Sequence, residues 1–357
     1  MDVDERYISQ KMTTLYVCAA ISVVFIHSAA FLTTKDVSVW SLFVQNLVTR
    51  SFTYWSVPFF FAAAGFWLGK GHRGNFWRRK AKSLVLPYFV WCVLGVILVT
   101  PLVVVNNLIT HRYIWERTFW ATSGCLNVVD SIFAITREQP VGNGPLWFMR
   151  DLILLFIFTP LWRFMVSRTW GKWMLLLLAF VEIIAWPHGI SFMNLPALAI
   201  GWFSVGLFVA SRKLEYRRMP LLFVSVAGLI WIGAALLYAA QAAGIQGLCS
   251  IRHSSLKKAI AISGIICCWG SYDYFKIDQL RYPEWFKETF FIYVFHGPVV
   301  AWIIAIGLYA LGKNSMTTLV VTLCAPILTL GMCGIAVLLM KRYCGKAYAF
   351  LIGGRTG

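Results

Sequence analysis

Charge is scarce in this sequence. Only 13% of its 357 residues are Asp, Glu, Lys or Arg, about half the share in an ordinary soluble domain. Acids are the rarer sign, 14 against 32 bases. No fixed-period repeat, low-complexity tract or separate polar domain interrupts the chain. The nine cysteines lack metal-ligand spacing, and no Gly-rich phosphate loop is present. Alternating strands of about ten residues, the mark of a membrane barrel, are missing too. Together these absences exclude a soluble enzyme, a disordered chain and a secreted disulfide scaffold.

What is abundant is apolar surface. Hydrophobic residues make up 59% of the chain, and the mean hydropathy is +0.72. The expectation is an all-α polytopic membrane protein, one integral membrane domain over residues 1–357. Dividing the chain at its charges leaves ten candidate spans. They are 12–34, 48–69, 83–106, 145–166, 172–188, 195–211, 220–243, 258–272, 289–312 and 317–340. With the N-terminus inside, 22 basic residues fall in inner segments and nine in outer ones. That bias predicts about ten transmembrane helices with both termini cytoplasmic.

The net charge of +18 then belongs to loops facing anionic lipid headgroups, and no nucleic-acid partner is expected. The acidic start (Asp2, Asp4, Glu5) argues against a cleaved signal peptide, which would be basic there. Cys125 and Cys249 fall in loops on the expected outer side, and a bridge between them stays open. The long loop 107–144 should fold over that outer face.

Ionisable groups inside a bilayer are costly, so each is a candidate for function. His27 lies deep in the first span, about 24 Å along the helix from Lys11 at ~1.5 Å per residue. It reads either as a packed, hydrogen-bonded histidine or as a general base. Arg78-Arg79-Lys80-Ala81-Lys82 reads as a topology anchor or as a clamp for donor phosphates. Trp147, Arg150 and Asp151 open the fourth span, as interface anchors or as part of an outer acceptor site. Arg150 and Asp151 are adjacent and point about 100° apart on a helix, so no direct pairing is expected. Glu182 and His296 are the remaining intramembrane groups, read as part of the acceptor site or as structural. Gly297-Pro298 after His296 suggests a kinked or packed helix.

Five segments carry a family resemblance. They are Leu15 to Ser28, Ser56 to Phe66, Arg79 to Tyr88, Pro145 to Leu152 (PLWFMRDL) and Phe291 to His296 (FIYVFH). In that order they resemble the acyltransferase 3 family of integral membrane O-acyltransferases, over about residues 12–340. The resemblance implies transfer of an acyl group, most often acetyl, from cytoplasmic acyl-CoA to a hydroxyl of a cell-surface or lipid-linked carbohydrate. It implies a multi-pass protein of the cell inner (cytoplasmic) membrane, with acyl-CoA as co-substrate, no bound cofactor and no metal. His27 matches the family's catalytic histidine, and Arg78, Arg79 and Lys82 match its donor-binding element. Three positions depart from the pattern. Tyr16 stands where the family has an arginine eleven residues before the histidine, Lys82 replaces an arginine, and Ala64 replaces a small hydroxyl residue. Some members carry an esterase-like domain; without one, the membrane body itself is expected to complete the reaction. The rival class is a transporter or flippase of a lipid-linked sugar. Against it, the sequence shows no inverted repeat and no matching pair of Gly/Pro-broken spans.

Overall fold

Backbone polar groups in lipid must find partners within their own segment, which long apolar runs achieve only as helices. The computed structural model describes residues 3–30, 37–71, 75–110, 125–181, 183, 197–245, 247, 251–275 and 282–355. It is all-helical, with no strand among the described residues.

Among the described residues fifteen α-helices follow one another. They are α1 (Val3–His27), α2 (Val39–Asn46), α3 (Ser56–Gly69), α4 (Phe76–Lys80), α5 (Leu86–Thr110), α6 (Cys125–Phe133), α7 (Trp147–Ile157) and α8 (Thr159–Ser167). Then come α9 (Thr169–Phe180), α10 (Ala197–Ser211), α11 (Leu221–Ala242), α12 (His253–Tyr272), α13 (Thr289–Leu311), α14 (Ser315–Tyr343) and α15 (Gly345–Leu351). Each of the ten expected segments overlaps at least one of them.

By length and composition, five helical stretches among the described residues are able to cross a membrane: Glu5–His27, Phe76–Val105 (α4 running into α5), Leu221–Ala242, Thr289–Leu311 and Ser315–Tyr343. The pair α7–α8, bent by 59°, makes a sixth if counted as one broken span. Helices α3, α9 and α10 are apolar but short, at 14, 12 and 15 residues.

The expected span 48–69 is not one helix. Between α2 and α3 the chain makes a wide helical turn over Leu47–Ser51. Four hydroxyls there bond back to the main chain: Thr49 to Gln45, Ser51 to Asn46, Thr53 to Thr49 and Ser56 to Thr53. Such back-bonding offers the main chain an alternative to a regular ladder and bends it.

Helix α1 runs through the middle of the bundle, touching α3, α12, α13 and α14. Helices α3 and α10 cross at backbone contact. A methyl group on Gly206 would lie 1.8 Å from the Ala62 carbonyl oxygen, and one on Gly65 would lie 2.0 Å from that of Phe203. Small residues at such a seam let two helices gain dispersion energy where lipid offers no hydrophobic drive.

Charge gathers at the end of the bundle where α1 begins. Lys11 is buried there against Asp273 at 2.6 Å and lies over the Trp269 ring. Arg218 donates to the Asp273 carbonyl at 3.0 Å, and Lys70 pairs with buried Glu215. His27 lies at the other end of α1.

Candidate active site

His27 ends α1 and lines a cavity of about 780 Å³ between α1, α5 and α13. The walls are mostly aliphatic, with Pro145, Gly297 and Trp302 among them, and Lys313 follows past the end of α13. The His27 and His296 rings face each other, centroids 5.2 Å apart and planes tilted by 51°.

His296 is fully buried. Its Nδ1 sits 2.6 Å from the Tyr293 carbonyl and 3.2 Å from that of Ile292. Both neighbours are acceptors, so Nδ1 carries the proton and donates it. That leaves Nε2 as a lone-pair nitrogen, buried and with no hydrogen-bond partner among the described residues. His27 makes no hydrogen bond among the described residues.

Two segments whose contacting residues are 148 and 151 positions apart in the chain converge beside this pair. Asn143 Nδ2 donates to the Val294 carbonyl at 2.8 Å, and Tyr293 Oη donates to the Pro145 carbonyl at 2.6 Å. Asn143 Oδ1 is buried, has no hydrogen-bond partner among the described residues and faces Gly297, where a methyl group would come within 2.5 Å of it. Asn143 was not singled out from sequence. The signal was there in Gly142-Asn143-Gly144, a polar residue between glycines at the mouth of an apolar helix.

Arg150 and Asp151 correct an expectation. They do pair: Arg150 Nε donates to Asp151 Oδ1 at 2.9 Å and Nη2 lies 2.8 Å from the same oxygen. Adjacent Cα–Cβ bonds do diverge on a helix, but the long Arg side chain wraps back across the gap. Arg150 Nη1 also donates to the carbonyls of Ala134 (3.1 Å) and Arg137. Both residues are buried, and the guanidinium holds the strap that follows α6 against α7. Trp147 packs against Phe61 and Phe148, ring centroids 6.2 and 6.3 Å away, and does not line the His27 cavity. Glu182, Cys249 and the side chain of Cys125 lie outside the described residues.

Toward the end of the bundle where α1 begins, Arg79 and Lys80 line a hollow of about 490 Å³ with Trp67, Phe76 and Ser83. Of the three residues expected to bind donor, only Arg79 faces it. Arg78 is exposed, and Lys82 lies beside Gly354. An adjoining cavity of about 300 Å³ is lined by Lys80, Tyr16, Ala64 and Tyr293. No group of three or more His, Cys, Asp or Glu side chains among the described residues is placed to hold a metal ion.

A family model described as an acyltransferase domain matches residues 14–340, nearly the whole chain. The chain belongs to the acyltransferase 3 family. It is a membrane acyltransferase with several transmembrane helices. No curated protein and no solved structure matches it significantly. Within the acyltransferase match lie His27, the basic segment, the PLWFMRDL motif and His296. Two of the three departures from the family pattern, Tyr16 and Ala64, line the same small cavity.

Proposed function

We propose that this acyltransferase moves an acyl group, most simply acetyl, from cytoplasmic acyl-CoA to a hydroxyl of a cell-surface or lipid-linked carbohydrate. The observation that carries the reading is His27 on a cavity wall, free of hydrogen bonds among the described residues and 5.2 Å from a second imidazole. His27 takes the proton of the acceptor hydroxyl as its oxygen attacks the thioester carbonyl. The new C–O bond forms and the C–S bond breaks. The leaving thiolate then recovers a proton from His27. Arg79, with Lys80 beside it, holds donor phosphates at the cytoplasmic edge. The mostly aliphatic walls of the His27 cavity suit an acceptor carried on a lipid.

The test is mass spectrometry of surface glycans from cells with and without the intact gene. Loss of one acyl mass on an otherwise unchanged glycan is the expected result. Loss of the glycan itself would instead indicate transport of a lipid-linked sugar.

The same reading places the protein in the cell inner membrane with ten spans and both termini cytoplasmic, supported by the 22 to nine distribution of basic residues. A reporter fused after Gly357 should then be cytoplasmic, and one inserted near Asn127 external. Two reporters on one side would overturn that topology.

A further inference from the structure

The small cavity beside Lys80 has another cation on its wall: Arg355, fifteen residues beyond the end of the family match. The fold delivers it there by a defined route. Glu288 accepts from Lys341 and from Tyr348 Oη (2.7 Å), which folds α15 back against the start of α13. Trp91 Nε1 donates to the Leu351 carbonyl at 3.0 Å. Gly353 and Gly354 then turn the chain with φ of +70° each, a conformation that favours glycine. At Gly353 the approach is close enough that a methyl group would lie 2.5 Å from the Lys82 carbonyl oxygen.

At the end of this path the guanidinium lies 3.6 Å from the centroid of the Phe290 ring, and Lys80 Nζ lies 4.0 Å from that of Phe156. Arg355 Nη1 is buried with no hydrogen-bond partner among the described residues. No acid among the described residues lines the cavity. The acid nearest in sequence, Glu288, has both oxygens engaged with Lys341 and Tyr348. Burial pushes the Arg355 guanidinium down to about 10, so it stays charged at neutral pH. A buried donor without an acceptor is costly, and a charged one more so. Two cations sharing a cavity with no acid form a site that an anion would complete.

We infer that Arg355 and Lys80 form a binding site for phosphate groups, with Arg355 supplying from the C-terminal tail the cation that the family pattern places at position 16. Tyr16 lines the same cavity and is engaged there as an apolar wall. It stacks on Phe60 at 5.8 Å and accepts from Trp67 Nε1 at 3.0 Å. The positive charge has thus moved from α1 to the tail while the cavity is kept. That the ligand is the acyl donor rests on the proposed function; that it bears phosphate rests on the charges alone.

The experiment uses the full-length protein in nanodiscs and two probes, pyrophosphate and coenzyme A. Arg355→Gln should weaken binding of both by about tenfold or more, the usual size of one charge-assisted hydrogen bond. Lys346→Gln, the same charge change at an exposed site on α15, should leave affinity within about twofold, because exposed charges are screened. Adding Tyr16→Arg to Arg355→Gln should recover most of the loss, which general damage to folding would not allow. Coenzyme A binding that ignores Arg355→Gln overturns the inference and leaves the donor reading standing. Pyrophosphate binding that depends on Arg355, without any coenzyme A binding, upholds the site and removes the donor reading. Failure to bind either probe overturns the inference.

Discussion

A His27→Gln protein, inserted and folded like the wild type, should transfer acyl groups roughly 10²–10⁴-fold more slowly, the usual contribution of one general base. Glutamine keeps a hydrogen-bonding tip of similar reach but takes up no proton at neutral pH. The geometry makes the substitution informative. His27 lines the cavity and has no hydrogen bond to lose among the described residues, so stability should change little. His27→Ala should show a similar loss of transfer. The measurement is acyl transfer in membranes, normalised to inserted protein. Near wild-type transfer by the glutamine variant would remove His27 from the chemistry. The facing His296 would then be the remaining imidazole of the pair.

The largest expected effect on stability belongs to Arg150. Arg150→Met deletes the partner of Asp151, which is fully buried, and two hydrogen bonds to the carbonyls of Ala134 and Arg137. Breaking one half of a buried pair costs about 3–5 kcal/mol, because the other charge is left uncompensated. Arg150→Met should therefore lower the thermal unfolding midpoint in detergent markedly. Removing both charges, as in Arg150→Met with Asp151→Leu, should recover much of the loss. Transfer per folded molecule should stay near the wild-type value. A fall in that specific rate without a fall in stability would return Arg150 to the acceptor site.

The sequence made single residues visible better than their meetings. His27 stood out because an imidazole in an apolar helix is costly and therefore conspicuous. The PLWFMRDL and FIYVFH segments were each distinct, yet their union through Asn143 and Tyr293 is a long-range contact that no local periodicity encodes. The pairing of Arg150 with Asp151 escaped a rule about Cβ directions because side-chain length was left out of it. The break between α2 and α3 escaped the hydropathy reading because serine and threonine are uncharged, while their hydroxyls compete for the main chain. Arg355 counted only as one more basic residue. Its placement depends on the Glu288 clasp and two glycines at positive φ, which act together only in the folded chain.

Helix α1 also works as a ruler. Tyr16, on the wall of the Arg355 cavity, and His27, on the wall of the other, are eleven residues apart on one helix, a separation of about 16 Å. With phosphate anchored at the level of Tyr16, the reacting carbonyl has to arrive about one such length away. An acyl phosphate, whose carbonyl is attached directly to the anion, is too short to be in both places. A donor that carries its thioester on a long, thin arm is not, so with the proposed phosphate site and His27 in their proposed roles the spacing along α1 would select the donor by reach before any contact is made with the acyl group.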